Sequence, residues 1–135
     1  MWRWLELLRT KQEGLEKYTI LIEEGRSKVR LELLRHLSPF TSERIFGNLP
    51  GTGMIVKDKD LIYIRFPVET RIEKEKRFLR RGQVGYSPAK GMIVIAIRDV
   101  KLKEPVSYLG RVVEGINVLE KLYTGKLVTL KRGSD

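Results

Sequence analysis

The feature that most constrains this chain is how often its apolar stretches are interrupted. The longest, Met92 to Ile97, runs for six residues before Arg98 breaks it. Stretches of that length suit β-strands and fall far short of the roughly 20 residues that carry a helix across a bilayer. Val29-Arg-Leu-Glu-Leu33 alternates apolar and charged side chains, the period of a strand with one face buried. Tyr18-Thr-Ile-Leu-Ile22 is rich in β-formers and stops at Glu24-Gly25. Met54 to Val56 and Leu61 to Phe66 flank Lys57-Asp-Lys-Asp60 and predict a hairpin. Val84 to Tyr86 and Met92 to Ile97 predict a second strand pair around Ser87-Pro-Ala-Lys-Gly91, and Gly110 to Val113 and Leu127 to Leu130 predict two more strands.

Helical signals inside this β-rich body are confined to two places. Ser38-Pro39 suits an N-cap followed by a first helical residue, with Ile45, Phe46 and Leu49 as the apolar face and Pro50-Gly51 as the stop. Ile116, Leu119 and Leu122 form a stripe on a helix from Ile116 to Leu122. Many short strands with two internal helices predict a mainly β fold closed into a barrel, since closure removes exposed edges. Residues 1–17 differ: Trp2, Leu5 and Leu8, with Trp4 four residues before Leu8, describe a short amphipathic helix that Gly14 would end. That arm is expected to pack on the body or on a second copy, giving a homo-oligomer; a weak membrane-surface foot is the alternative. The predicted domains are thus an arm, 1–17, and a barrel domain, 18–135.

At 135 residues the chain suits one domain and can bury enough surface to need no staple. It has no cysteine and one histidine, His36, which excludes a disulfide framework, a thiolate nucleophile and a multi-histidine metal site. The apolar share of 41% and charged share of 33% describe a folded globule. Asn48, Asn117, Gln12 and Gln83 are the only amides beside abundant Lys, Arg and Glu, a balance typical of proteins from hot environments. Met1 to Arg9 is too short and too charged for a secretory signal, so the expectation is a soluble, cytoplasmic protein.

Several familiar motifs fail. Gly51-Thr-Gly53 lacks the third glycine of a dinucleotide fingerprint, since position 56 is Val, and it follows a helix instead of a strand. Gly110 and Gly115 have phosphate-loop spacing, but Ile116 and Asn117 stand where Lys and Ser or Thr are needed. Asp58 and Asp60 lack the glycine and distal glutamate of a calcium loop and read as turn residues. His36 and Ser38 lack a third group to orient the ring, so the histidine is expected to hydrogen-bond local backbone. No motif implies a metal or a cofactor.

Three blocks, in this order, carry a resemblance. His36-Leu-Ser-Pro-Phe-Thr-Ser-Glu43 is similar to the start of the first cyclophilin helix through Pro39, Thr41 and Glu43. Gly82-Gln-Val-Gly-Tyr-Ser-Pro-Ala-Lys-Gly91 resembles the Tyr-Trp-Pro-Pro-Gly loop of small prokaryotic cyclophilin-like proteins. Leu109-Gly-Arg-Val-Val-Glu-Gly-Ile-Asn-Val-Leu-Glu-Lys-Leu122, with Gly125 and Leu127 to Leu130, resembles the C-terminal cyclophilin block. The likeness spans roughly 18–132 and implies a closed eight-stranded barrel capped by two helices. Ser87 and Ala89 stand where that loop has Trp and its second Pro. The Phe-His-Arg and Phe-Met-x-Gln-Gly-Gly stretches of catalytic cyclophilins are replaced by Met54-Ile-Val-Lys57 and Tyr63-Ile-Arg-Phe66.

Prolyl isomerisation must lower a barrier near 20 kcal/mol set by amide resonance, usually through a fixed donor beside an apolar pocket. On Leu61 to Phe66, Ile62, Ile64 and Phe66 suit the interior, which leaves Leu61, Tyr63 and Arg65 outside. The expected site is an outer groove of Tyr63, Arg65, Met54 and Tyr86 binding a peptide or small molecule, with Arg65 the one catalytic candidate. A weak peptidyl-prolyl cis-trans isomerase is the alternative. A second alternative is a nucleic-acid-associated protein: Lys and Arg number 27 against 17 Asp and Glu, and Arg71 to Arg81 is strongly basic with Phe78 its one stacking aromatic.

Overall fold

The structure is a computed structural model describing residues 17–133. In chain order its elements are β1 (Lys17–Glu24), β2 (Ser27–Leu34), α1 (Pro39–Gly47), β3 (Gly51–Asp58), β4 (Leu61–Arg65) and β5 (Glu75–Leu79). Then follow β6 (Gln83–Ser87), β7 (Met92–Ala96), β8 (Val100–Glu114), α2 (Ile116–Glu120) and β9 (Leu127–Arg132). Eight strands run β2-β1-β9-β3-β4-β7-β6-β8, every pair antiparallel, and β8 returns to β2 to close the ring. The predicted closed eight-stranded barrel with two helices is the observed architecture. The expected arm helix and any assembly through it lie outside the described residues.

Alternation makes the barrel. Ile20, Ile22, Leu31, Leu33, Ile62 and Ile64 point inward and are buried, as the period-2 pattern requires. Phe66, just past β4, joins the same interior. Ile45 from α1 and Leu49 just past it, and Leu119 and Leu122 from the α2 region, enter that cluster and stop the barrel. The closing seam is tightest at Gly110. Gly110 lies opposite Leu33 at the β2–β8 seam, and a methyl group there would overlap the Glu32 carbonyl oxygen.

Three elements differ from expectation. β8 begins at Val100, ten residues before the predicted Gly110, and Glu75–Leu79, within the basic stretch Arg71 to Arg81 where no strand is expected, is a strand paired to it. Val100, Leu102 and Val106 are the inward positions of this stretch, and the intervening charges with Pro105 hide their periodicity. The second helix stops at Glu120, and Leu122 follows in a tighter turn with its N–H donating to Leu119 O at 3.1 Å.

The start of α1 is also capped differently. Ser38 occupies the N-cap position, but its buried hydroxyl donates to the Tyr108 carbonyl at 2.7 Å. The orphan N–H groups of Phe40 and Thr41 donate instead to Glu73, at 3.2 and 2.6 Å. His36 is exposed in the preceding turn, and the backbone hydrogen bond expected of it is absent among the described residues. No helix among the described residues is long and apolar enough to cross a membrane.

Candidate functional site

The outer face of β4 and β7 is not left to solvent. Leu61 on β4 and Val94 and Ala96 on β7 face away from the interior, and they pack with Leu79 of β5 and Val106 of β8 into a second apolar cluster. Tyr63, Val100, Leu102 and Tyr108 join its margin. The first half of β8 therefore lies across the barrel wall as a roof. Gly85 on β6 permits this approach: a Cβ there would come within 2.7 Å of Val106 Cγ2.

Where the roof lifts from the wall, a cleft of about 300 Å³ opens beside the β3–β4 turn. Leu61, Tyr63, Leu102 and Val106 supply its apolar surface. Asp58, Asp60 and Glu104 together with Lys59, Lys90, Lys101 and Lys103 supply a mixed-charge rim. Lys90 is held where it matters. The 87–91 turn closes through Gly91 N–H donating to Ser87 O at 2.8 Å, and the buried Ser87 hydroxyl accepts the Lys90 N–H at 3.2 Å. The Lys90 ammonium consequently stands 4.6 Å from the Tyr63 ring centroid. This arrangement can hold an extended apolar group against Tyr63 while charged groups at the rim meet polar ends.

Of the four residues expected to line one groove, Tyr63 lies in the cleft. Arg65 is the next outward residue on β4, opposite Met92 and exposed, beyond the cleft's lining. Met54 is also exposed on β3, where it pairs with Leu127 of β9, away from the cleft. Tyr86 is on the other side of the wall altogether, which corrects its expected place. It pairs with Ile93, which pairs with Ile64, and residues in register share a face; here that face is the interior. Its phenol is fully buried, donates to Phe66 O and accepts from Val68 N–H, both at 2.9 Å, and burial pushes its pKa above the ordinary tyrosine value. The uninterrupted apolar run Met92 to Ile97 gives no inward–outward parity, so the sequence could not fix which way its neighbour on β6 points. Lys90 and the roof residues Leu102 and Val106 were not anticipated; Lys90's place in the turn after Pro88 was the available signal.

A second hollow, of about 600 Å³, lies between α1 and residues 69–73, with Phe40 and Ile72 exposed at its border. Arg44 and Arg71 also line it, and the helix N-terminus beside it already holds Glu73. No cluster of potential metal ligands exists among the described residues.

No family model matches the chain, and no curated protein matches it. Solved structures do. A hypothetical protein from Archaeoglobus fulgidus, known from its solution structure, superposes with a TM-score of 0.69 at 22% identity over 87% of this chain and 96% of that one. McbB, in a structure with tryptophan, superposes with a TM-score of 0.67 at 18% identity over 86% of this chain and 45% of McbB, so the chain spans about half of McbB's length. At these identities the likeness establishes what the strand order also displays: a closed antiparallel β-barrel with two helices.

Proposed function

We propose that this is a cyclophilin-like barrel protein whose outer cleft binds a peptide or small ligand, with no catalytic machinery required. The observation that carries the reading is the roofed cleft itself, in which Tyr63 offers an aromatic face beneath Lys90 and beside Leu61 and Val106. A proline ring or similar apolar group fits against Tyr63, and the rim offers both signs of charge to a peptide backbone's ends. Outward residues two apart on a strand are roughly 7 Å from one another. A peptide running along β4 past Tyr63 therefore reaches Arg65.

The test is calorimetric titration with a panel of short and longer proline-containing peptides. Tyr63→Ala is expected to weaken binding about tenfold, or ~1.4 kcal/mol. Arg65→Ala is expected to weaken the longer peptides alone. Absence of saturable binding across the panel, or equal affinity in wild type and Tyr63→Ala, would end this reading. A protease-coupled isomerisation assay on the same proteins separates the alternative: acceleration that Arg65→Ala abolishes would make the protein a prolyl isomerase. Binding without acceleration would leave it an accessory protein.

A further inference from the structure

We propose that the solvent face of the β5–β8 ribbon is a binding strip for single-stranded nucleic acid. The ribbon has two faces. Leu79 pairs with Val100, and both turn into the outer apolar cluster. Phe78 pairs with Lys101, and both are turned to solvent. Phe78 is 46% exposed and belongs to neither apolar cluster of the described residues.

Charge concentrates around that ring. Residues 74–81 and 98–104 carry eight cations against three carboxylates, a surplus of five within a chain whose total is +10. Some of this charge is committed: Arg81 pairs with Glu120, and Arg77 lies 3.7 Å from Glu75. Arg80, Arg98, Lys101 and Lys103 make no ion pair among the described residues.

β5 also ends the sheet order, pairing with β8 alone. Lysines and arginines on such an edge discourage pairing with another strand, which accounts for part of the charge. It does not account for a phenylalanine left in water among them. An exposed ring flanked by unpaired cations is the combination that holds single strands: the ring stacks on a base and the cations neutralise adjacent phosphates. A duplex keeps its bases stacked on one another and offers Phe78 no partner, so the strip selects single strands.

The experiment is fluorescence anisotropy with labelled oligo-dT and oligo-U of about 15 nucleotides, using the full chain. Saturable binding is expected at low salt. If about four phosphates are neutralised, raising salt from about 50 to about 200 mM weakens it roughly 50-fold. Phe78→Ala is expected to weaken binding about tenfold, Phe78→Trp to retain it, and Lys101→Glu to weaken it by at least about tenfold. Both positions are on the surface, and thermal melts close to wild type verify that each variant is folded. No binding at low salt overturns the proposal. So does wild-type affinity in both Phe78→Ala and Lys101→Glu, which would move the contact to another basic surface. Duplex or polyglutamate competing as well as the unlabelled single strand would also overturn it, making the ribbon a surface for polyanions or acidic peptides at large.

Discussion

The two faces of the β4–β7–β6 wall are built by different rules. Inside, Ile62, Ile64, Ile93, Ile95, Val84 and Tyr86 meet residues from every other strand of the ring and from both helices, and the one polar atom among them, the Tyr86 hydroxyl, has two backbone partners. Outside, Leu61, Val94 and Ala96 are covered by a single ribbon, which leaves a cleft at its margin. A closed interior admits no ligand, because its apolar surface is already matched on all sides. The partly covered exterior is where apolar surface, charge and open volume coincide. Closure of the barrel and a roof on only one part of its wall are thus what separate the packed core from the open cleft in this molecule.

Substitutions on the two faces test that separation. The largest effect is expected from Gly110→Ala, which forces a methyl group against the Glu32 backbone at the seam; about 4 kcal/mol of stability should be lost in denaturant melts. A variant as stable as wild type would show that the seam is looser than described. Adjacent residues on β7 give the direct contrast. Ile95→Ala, inside, should cost about 3.5 kcal/mol, whereas Val94→Ala, under the ribbon, should cost about 2 kcal/mol. Equal losses, after allowing for the extra carbon of isoleucine, would mean that the outer cluster packs as tightly as the core.

Tyr86→Phe should cost about 1.5 kcal/mol at neutral pH, since the Val68 N–H and the Phe66 carbonyl each lose a partner. It also has a pH signature. Burial, set against the opposing hydrogen bond from Val68, raises the folded pKa above 10.0. The neutral phenol's stabilisation is therefore fully present below pH 10 and is lost as pH climbs through the raised folded value. Wild type should lose stability more steeply than the Phe variant between pH 10 and that raised value. Parallel curves would show that the phenol is not held neutral by burial. The smallest effect, about 1 kcal/mol, is expected for Glu73→Ala, which uncaps α1 from across the chain. If Ser38→Ala alone produced a cap-like loss while Glu73→Ala produced none, the assignment of the cap would be reversed.

Much of the barrel was legible because strand alternation is a local property. Val29 to Leu33 and Leu61 to Phe66 declare their buried faces by spacing, and the inward burial of Ile62, Ile64 and Phe66 follows. The 116–122 stripe likewise placed Leu119 and Leu122 in the core. Other parts carried no such mark. Phe78 and Leu79 sit in a charged stretch, and their strand exists because β8 is there to pair with it. Met92 to Ile97 is apolar at every position, so its spacing leaves open which way Tyr86 faces. Glu73 caps a helix that begins more than thirty residues earlier in the chain, a relation with no local signature.

By itself, then, the sequence determined the eight strands of the ring and the two helices, the closed β architecture and the interior stripe, all of which follow from side-chain periodicity within a few residues. Only the tertiary structure decided that β8 folds back over its own barrel, that Lys90 stands over Tyr63, and that Phe78 is left facing water. Those placements depend on pairings between distant strands, whose register is set by the packing of the whole wall and not by any one segment's composition.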